Sequence, residues 1–435
     1  MKTVAGSATL PATSMPGVMN PVSGSPRHES GVRVVVKGMG WIFVAAAAAA
    51  AGLCWAGRWG LRRTAVALAR IVVHPPPSAV TPIHSSTGTS VTLAADRRTL
   101  HRGQFGLWFG EGGHAVIGHV IAHDPAARTV TRELLDVEGD LGSARFGQWT
   151  GHLHPGPASL RRRHREVRIA APGGVAPAWL IEPRQAAGPS TASSSTASSS
   201  TWAIHIHGRN GTRTTALASV HATDALGMVS LVVSYRGDGE GPAAPGGAST
   251  LGLREWEDVD AAIGYALDHG AKRVILVGWS LGGAIALQLS ELSAHRASIH
   301  RLVLVGPVTD WRAAVRTGAV ARGLPSWVGG LAVRALGDRS LSARVGLVEP
   351  IDFEQLGWAR PGRLTVPALV IHSDGDREVP LSCSVMFAMA NPTLVRLVEL
   401  SPAEHCWEYN VDPAAFNSAV IDFLGSGRDG SRPLG

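Results

Sequence analysis

Between residues 201 and 400 the chain carries six short runs rich in Val, Ile and Leu, and their spacing restricts the fold more than any other feature. The runs are TWAIHIH, VSLVVSY, RVILVG, RLVLVG, PALVIHS and VRLVEL. Each is short and almost continuously apolar, as a strand buried on both faces must be. Helical patterns fall between and after them: LREWEDVDAAIGYALDHG, with early acidic residues and Gly270 closing it, then LGGAIALQLSELS, and AAFNSAVIDFL at the end. Strands alternating with helices predict an α/β fold, a mostly parallel sheet with helices on both faces. A chain of 435 residues that is 45% hydrophobic can bury such a core. Between Trp311 and Thr365 no strand pattern occurs, and WRAAVRTGAVA and WVGGLAVRALG read as helices. Residues 311–363 are therefore expected to form a helical cap over the strand ends.

The segments ahead of this sheet differ in kind. Residues 1–37 read as a disordered, basic leader rich in Ser, Pro, Gly and Thr. Residues 38–57, GMGWIFVAAAAAAAGLCWAG, carry no charge and are bracketed by Lys37 and Arg58. Twenty apolar residues match a hydrocarbon core of about 30 Å, and Trp41 and Trp55 sit where interfacial aromatics belong. A single-pass transmembrane helix is expected. The competing readings are a cleavable signal sequence, usually shorter in both leader and apolar run, and a soluble Ala-rich helix. Arginines on both sides leave the orientation open. Residues 58–85, which include HPPPSAVTP, read as a linker. Residues 86–165 read as a small β-rich module: HAVIGHVIAHD and TVTRELLDV suggest a hairpin joined by DPAAR. The domain at 166–425 opens with a hairpin, EVRIA and APAWLIEP, followed by a low-complexity loop at 185–201. Residues 426–435 form a tail.

The net charge of +7 does not indicate nucleic-acid binding, because the basic residues cluster near the N-terminus and in RRRHR (161–165) rather than along an aromatic-studded face. The three cysteines, Cys54, Cys383 and Cys406, form no CxxC pair, so neither a zinc site nor a disulfide framework is indicated. No cofactor and no metal is expected. His205 and His207 alternate on one strand, but no third ligand is evident.

One turn points to chemistry. Gly278-Trp279-Ser280-Leu281-Gly282 is a GxSxG motif between the strand RVILVG and the helix LGGAIALQLSEL. In that setting the serine occupies a strained elbow with its hydroxyl clear of the sheet, and the helix N-terminus offers unpaired N–H groups to a developing oxyanion. A serine hydroxyl needs a base, and the base needs a carboxylate to hold its tautomer. Both follow on loops after later strands. PALVIHSDGDREVP offers Asp374 and Asp376, of which Asp376, four residues before Pro380, is chosen as the acid and Asp374 as a brace for the loop. VRLVELSPAEHCWEYN offers His405. WAIHIHGRNGTR supplies the N–H of Arg209 to pair with that of Leu281 as an oxyanion hole.

Together GWSLG, the HG turn at 207–208, YRGDG (235–239), DGDREVP and AEHCWEYN resemble the α/β-hydrolase superfamily over about residues 166–425. The similarity is to its serine peptidase-like or lysophospholipase-like branch, some members of which have N-terminal membrane anchors. YRGDG departs from the superfamily's usual RGxGxS. The resemblance implies the fold and a Ser280–Asp376–His405 triad, and says less about the substrate. An apolar cap around Trp311, Trp327, Val328 and Leu331 suits an acyl or lipid-like group, so a membrane-anchored carboxylic ester hydrolase is expected. Two alternatives stand: a peptidase, with Glu354 or Glu378 holding a free amino terminus, and a non-catalytic scaffold on the same fold.

Overall fold

The computed structural model describes residues 59–75, 79–184 and 200–426. The helix expected at 38–57 and the low-complexity stretch 185–199 lie outside them. Among the described residues no helix is long and apolar enough to cross a membrane.

Six strands form a closed antiparallel barrel: β1 (Val80–Ser86), β2 (Ser90–Ala94), β3 (Phe105–Phe109), β4 (Gly113–Asp124), β5 (Thr129–Glu138) and β6 (Phe146–Thr150). Their order is β1-β2-β5-β4-β3-β6, and β6 returns to β1 with Val80 opposite Gln148. β4 and β5 are the hairpin expected around DPAAR, with His123 opposite Val130. Apolar side chains fill the interior, Phe105, Leu107, Ile117 and Trp149 among them. Arg132 is buried with them. Its guanidinium donates to the carbonyls of Gly118, Thr99, His101 and Gly103 and lies against the Phe105 and Trp149 rings, so the charge is held by backbone dipoles and π faces.

The second sheet has eight strands: β7 (His164–Ala171), β8 (Gly174–Ile181), β9 (Thr201–Ile206), β10 (Val229–Val233), β11 (Arg273–Trp279), β12 (Ile299–Val305), β13 (Ala368–His372) and β14 (Val395–Glu399). The order is β14-β13-β12-β11-β9-β10-β8-β7. β9 through β14 run parallel, and the β7–β8 hairpin adds antiparallel to β10. Alternate residues of one strand enter opposite cores. Ile204, Leu276, Leu302 and Val370 face one core, whereas Ala203, Ile275, Val303 and Leu369 face the other. That division is why the runs read as continuously apolar. Helices Trp256–Asp268 and Leu281–Leu292 cover the first face, and Pro413–Gly425 covers the second.

Two boundaries differ from expectation. Residues 59–73, expected to be linker, are helical, and Ala65, Ala69 and Val73 pack as one stripe into the first core. β1 begins at Val80, also inside the expected linker, because its strand is needed to close the barrel against β6. The cap comprises helices Trp311–Ala321 and Ser326–Gly337 and shorter turns after them. Asp310 caps the first of these, accepting from the amides of Arg312 (2.8 Å) and Ala313 (3.2 Å).

Candidate active site

Ser280 sits between β11 and helix Leu281–Leu292 with φ 51° and ψ −110°, a conformation that costs free energy in a residue with a Cβ. The turn is held from both sides: the Ser280 N–H donates to the Val305 carbonyl (2.9 Å), and its carbonyl accepts from Gly283 (3.0 Å). Only glycine fits around it. A Cβ at Gly278 would lie 2.4 Å from the Gly282 carbonyl oxygen, and one at Gly282 would lie 2.2 Å from that of Ile206. Trp279, the middle residue of the motif, is buried against Phe416 and donates to Ser219 Oγ (3.3 Å).

The structure brings Ser280, Asp376 and His405 together. Ser280 Oγ is 2.7 Å from His405 Nε2, and His405 Nδ1 is 2.5 Å from Asp376 Oδ2. Asp376 follows β13, and its other oxygen accepts from the amides of Glu378 (2.8 Å) and Val379 (2.9 Å). Asp376 therefore braces its own loop. Asp374, expected to do so, is exposed and makes no side-chain hydrogen bond among the described residues. Burial opposes the charge on Asp376, but His405 beside it, with hydrogen bonds from His372 and His405, holds the carboxyl well below the usual carboxylate range. Burial likewise opposes protonation of His405. Asp376, ionised and hydrogen-bonded to Nδ1, works against burial and holds the imidazole above its ordinary value. Burial pushes the Cys406 thiol up to about 11, so at neutral pH Asp376 carries the charge.

Sequence reading missed three contributors. His372, fully buried at the end of β13, donates from Nε2 to Asp376 Oδ2 (3.0 Å), since an ionised carboxylate can only accept; its Nδ1 meets Ser384 Oγ at 2.7 Å. Its position in PALVIHSDGD, four residues before Asp376, was the available signal. The second contributor is the barrel. Ala403 and Trp407, on either side of His405, belong to the barrel's apolar interior, and the Trp407 ring lies edge-on to Phe105 at 4.6 Å. Asn410 continues the junction: its Nδ2 donates to the carbonyls of Gln104 (2.7 Å) and Gly151 (2.9 Å), and its carbonyl accepts from Gln104 (3.0 Å). Arg97 pairs with Glu404 at the edge. The loop bearing His405 is thus seated in the barrel.

The third is Glu408. Its carboxyl is fully buried, and neither oxygen has a hydrogen-bond partner among the described residues. Burial first, then Asp376, raises it to about 8. The folded protein keeps this proton up to about pH 8, whereas an unfolded chain releases it near 4.5. Stability therefore falls as pH rises across that interval. Glu408→Gln removes the ionisation. Its gain in Tm over wild type should be larger at pH 8 than at pH 5, as read by thermal melts at both; an equal offset at the two pH values would refute the assignment.

The HG turn packs on the elbow, where a Cβ at Gly208 would lie 3.2 Å from that of Ser280. The backbone N–H groups of Arg209 and Leu281 have no acceptor among the described residues. His205 and His207 do not converge. His205 meets Ser219 (2.8 Å) and Ser230 (3.1 Å), and His207 meets Asp238 (3.0 Å) of the YRGDG loop. Among the described residues no cluster of three or more metal-ligating side chains occurs.

A cavity of about 620 Å³ opens over Ser280, within the range of small-molecule sites. Four parts of the chain wall it: the 59–73 helix with Ile71, the barrel with Trp108 and His152, the sheet loops, and the cap. The cap's contribution differs from expectation. Trp311 lines the cavity, but Trp327 is 60% exposed, and Val328 and Leu331 are not among the lining side chains. Small residues, Ala314, Gly318 and Ala332, line it instead. Glu354 is outside, paired at the surface with Arg312 (2.8 Å) and Arg360. Glu378 is on the lining.

The strand order, the elbow and these loops define an α/β hydrolase. Residues 193–419 match the model of the "Alpha/beta hydrolase family", and the chain belongs to that family. Residues 82–150, the barrel, match a "Domain of unknown function (DUF8805)". No curated protein matches the chain in sequence. Similar solved structures include the Pyrococcus furiosus esterase Pf2001, with 20% identity, TM-score 0.47, and coverage of 62% of this chain and 94% of that one. Est1E from Butyrivibrio proteoclasticus is 18% identical, with TM-score 0.43 and coverage of 60% and 98%. Mouse alpha/beta hydrolase domain-containing protein 10 is 18% identical, with TM-score 0.42 and coverage of 60% and 99%.

Proposed function

We propose that the protein is a serine hydrolase that cleaves carboxylic esters through Ser280, His405 and Asp376. The observation that carries this is the continuous hydrogen-bonded chain from Ser280 Oγ through His405 to Asp376. Ser280 Oγ attacks the ester carbonyl carbon while His405 Nε2 takes its proton. The N–H groups of Arg209 and Leu281, which have no acceptor among the described residues, hold the oxyanion. His405 then gives the proton to the departing alkoxide. A water, deprotonated by the same nitrogen, attacks the acyl–serine; the Oγ–acyl carbon bond breaks, His405 returns the proton to Ser280 Oγ, and the carboxylic acid leaves. Asp376 holds the Nδ1–H tautomer and stabilises the imidazolium.

Attack requires neutral His405, and Asp376 favours the charged form. The acid limb of kcat/KM should therefore lie above pH 6.5, with activity rising through it. A profile already flat between pH 6 and 7 would contradict this.

Esters are favoured over peptides because one of the two carboxylates considered for an amino terminus, Glu354, is tied to surface arginines away from the cavity. Turnover of p-nitrophenyl butyrate against alanine p-nitroanilide tests the choice; faster anilide cleavage would reverse it. The reading includes a membrane anchor at 38–57, supported by that segment's length and lack of charge. The full chain should remain in the membrane pellet after an alkaline carbonate wash, and release into the supernatant would remove the anchor.

A further inference from the structure

The cavity over Ser280 has an unbalanced lining. Arg98, Arg209 and Arg322 line it, against one carboxylate, Glu378. Four sheltered arginines elsewhere pair with acids, Arg236 with Asp258 (2.7 Å), Arg213 with Glu240 (2.9 Å), Arg162 with Asp224 (2.7 Å) and Arg363 with Glu291 (2.6 Å), whereas Arg132 in the barrel interior has its fork filled by four carbonyls. None of the three cavity arginines forms an ion pair among the described residues. Each guanidinium reaches a backbone carbonyl instead. Arg209 Nη1 donates to Val72 (2.5 Å), Arg322 Nη1 to Gly318 (2.8 Å) and Arg98 Nη2 to Trp149 (2.7 Å). A guanidinium has five N–H donors, so most of each fork is unspent.

The three come from separate elements: Arg209 from the HG turn, Arg322 from the end of the first cap helix, and Arg98 from the barrel. Their convergence is not a consequence of one local basic run. Burial lowers the hold of Arg209 on its proton; Glu378 works against that, and Arg322 adds to it. Three guanidiniums lining the cavity that also holds Ser280, with one carboxylate among them, leave donors that an anion would complete.

We infer that this site takes esters bearing an anionic oxygen group, a carboxylate or a phosphate, which docks on Arg209 and Arg322 while Ser280 attacks the ester carbonyl. The inference rests on the hydrolase reading for the reaction but not for the binding. Arg98, held by Trp149 and lying over the Trp407 ring at 5.9 Å, adds a longer-range attraction.

Two measurements on the full chain test it. The first compares kcat/KM for mono-p-nitrophenyl glutarate with that for p-nitrophenyl valerate, and for 1-butyrylglycerol 3-phosphate with that for 1-butyrylglycerol. The anionic member of at least one pair should be favoured by about tenfold or more, and the favoured pair tells carboxylate from phosphate. That ratio should collapse towards one in Arg209→Gln and in Arg322→Gln, and should shrink with added salt. A preference for the neutral esters, or a ratio unchanged in both variants, would overturn the inference. The second is calorimetric titration of glutarate and of inorganic phosphate into wild type and into Arg322→Gln, whose exposed position makes misfolding no obstacle. Binding of either anion that weakens in the variant supports the site; binding of neither refutes it. If no ester in either pair turns over, the hydrolase reading fails, and the titration still decides the anion site.

Discussion

Ser280→Ala is expected to lower kcat for a p-nitrophenyl ester by roughly 10⁴-fold or more, with KM changed only a few-fold. Such a loss corresponds to about 5.5 kcal/mol of transition-state stabilisation. In the proposed mechanism the removed oxygen is the one that bonds to carbon. Nothing else on the cavity replaces it: the nearby Cys406 thiol, raised to about 11, is neutral at assay pH. Alanine keeps the Cβ that the strained turn already accommodates at φ 51°, so the fold should be retained. Circular dichroism and initial-rate kinetics on the same preparation check both halves. A loss below tenfold would mean that the reaction does not pass through this hydroxyl.

The second large effect is expected outside the hydrolase sheet. Trp407→Ala should lower kcat by about a hundredfold and destabilise the chain by about 3–5 kcal/mol. Trp407 anchors the His405 loop by filling the barrel beside Phe105, and it also touches His101 edge-on at 5.5 Å. Without it, residues 403–410 lose their apolar seat, and Nε2 of His405 no longer dwells at 2.7 Å from Ser280 Oγ. A displacement near 1 Å is enough for a loss of this size. Trp407→Phe refills most of the space and should recover most of kcat, which separates positioning from a general loss of fold. Wild-type kcat in the alanine variant would show that the barrel does not hold the histidine.

The barrel's part explains what could and could not be read from the sequence. Ser280 and Asp376 were legible because each follows a strand whose both faces are buried, so that the strand appears as an apolar run, whereas His405 follows the edge strand β14, in which Arg396 and Glu399 are exposed, and was located by chain order after it. The loops bearing them could then be located by counting strands. The helix at 59–73 was not legible. Its buried stripe is Ala65, Ala69 and Val73, small residues that give a weak hydrophobic signal beside Arg62, Arg63 and Arg70. Barrel closure pairs Val80 with Gln148, and no local pattern reports a contact over that separation. Trp407 in the barrel and His372 on Asp376 were hidden for the same reason: their roles exist only once distant segments meet. Asp376 over Asp374 was decided by position relative to Pro380, and the structure supplies a different physical basis: Asp376 is buried between two histidines and Asp374 faces solvent.

The central claim is that His405 and Asp376 make the Ser280 hydroxyl reactive toward an electrophilic centre. The most direct test treats the full chain with a fluorophosphonate and locates the adduct by mass spectrometry of the peptide that spans residues 274–290. The account predicts one adduct per chain, on Ser280, formed at least a hundredfold more slowly in His405→Ala. An adduct on another residue, or ester turnover that continues while Ser280 stays unlabelled, would contradict it.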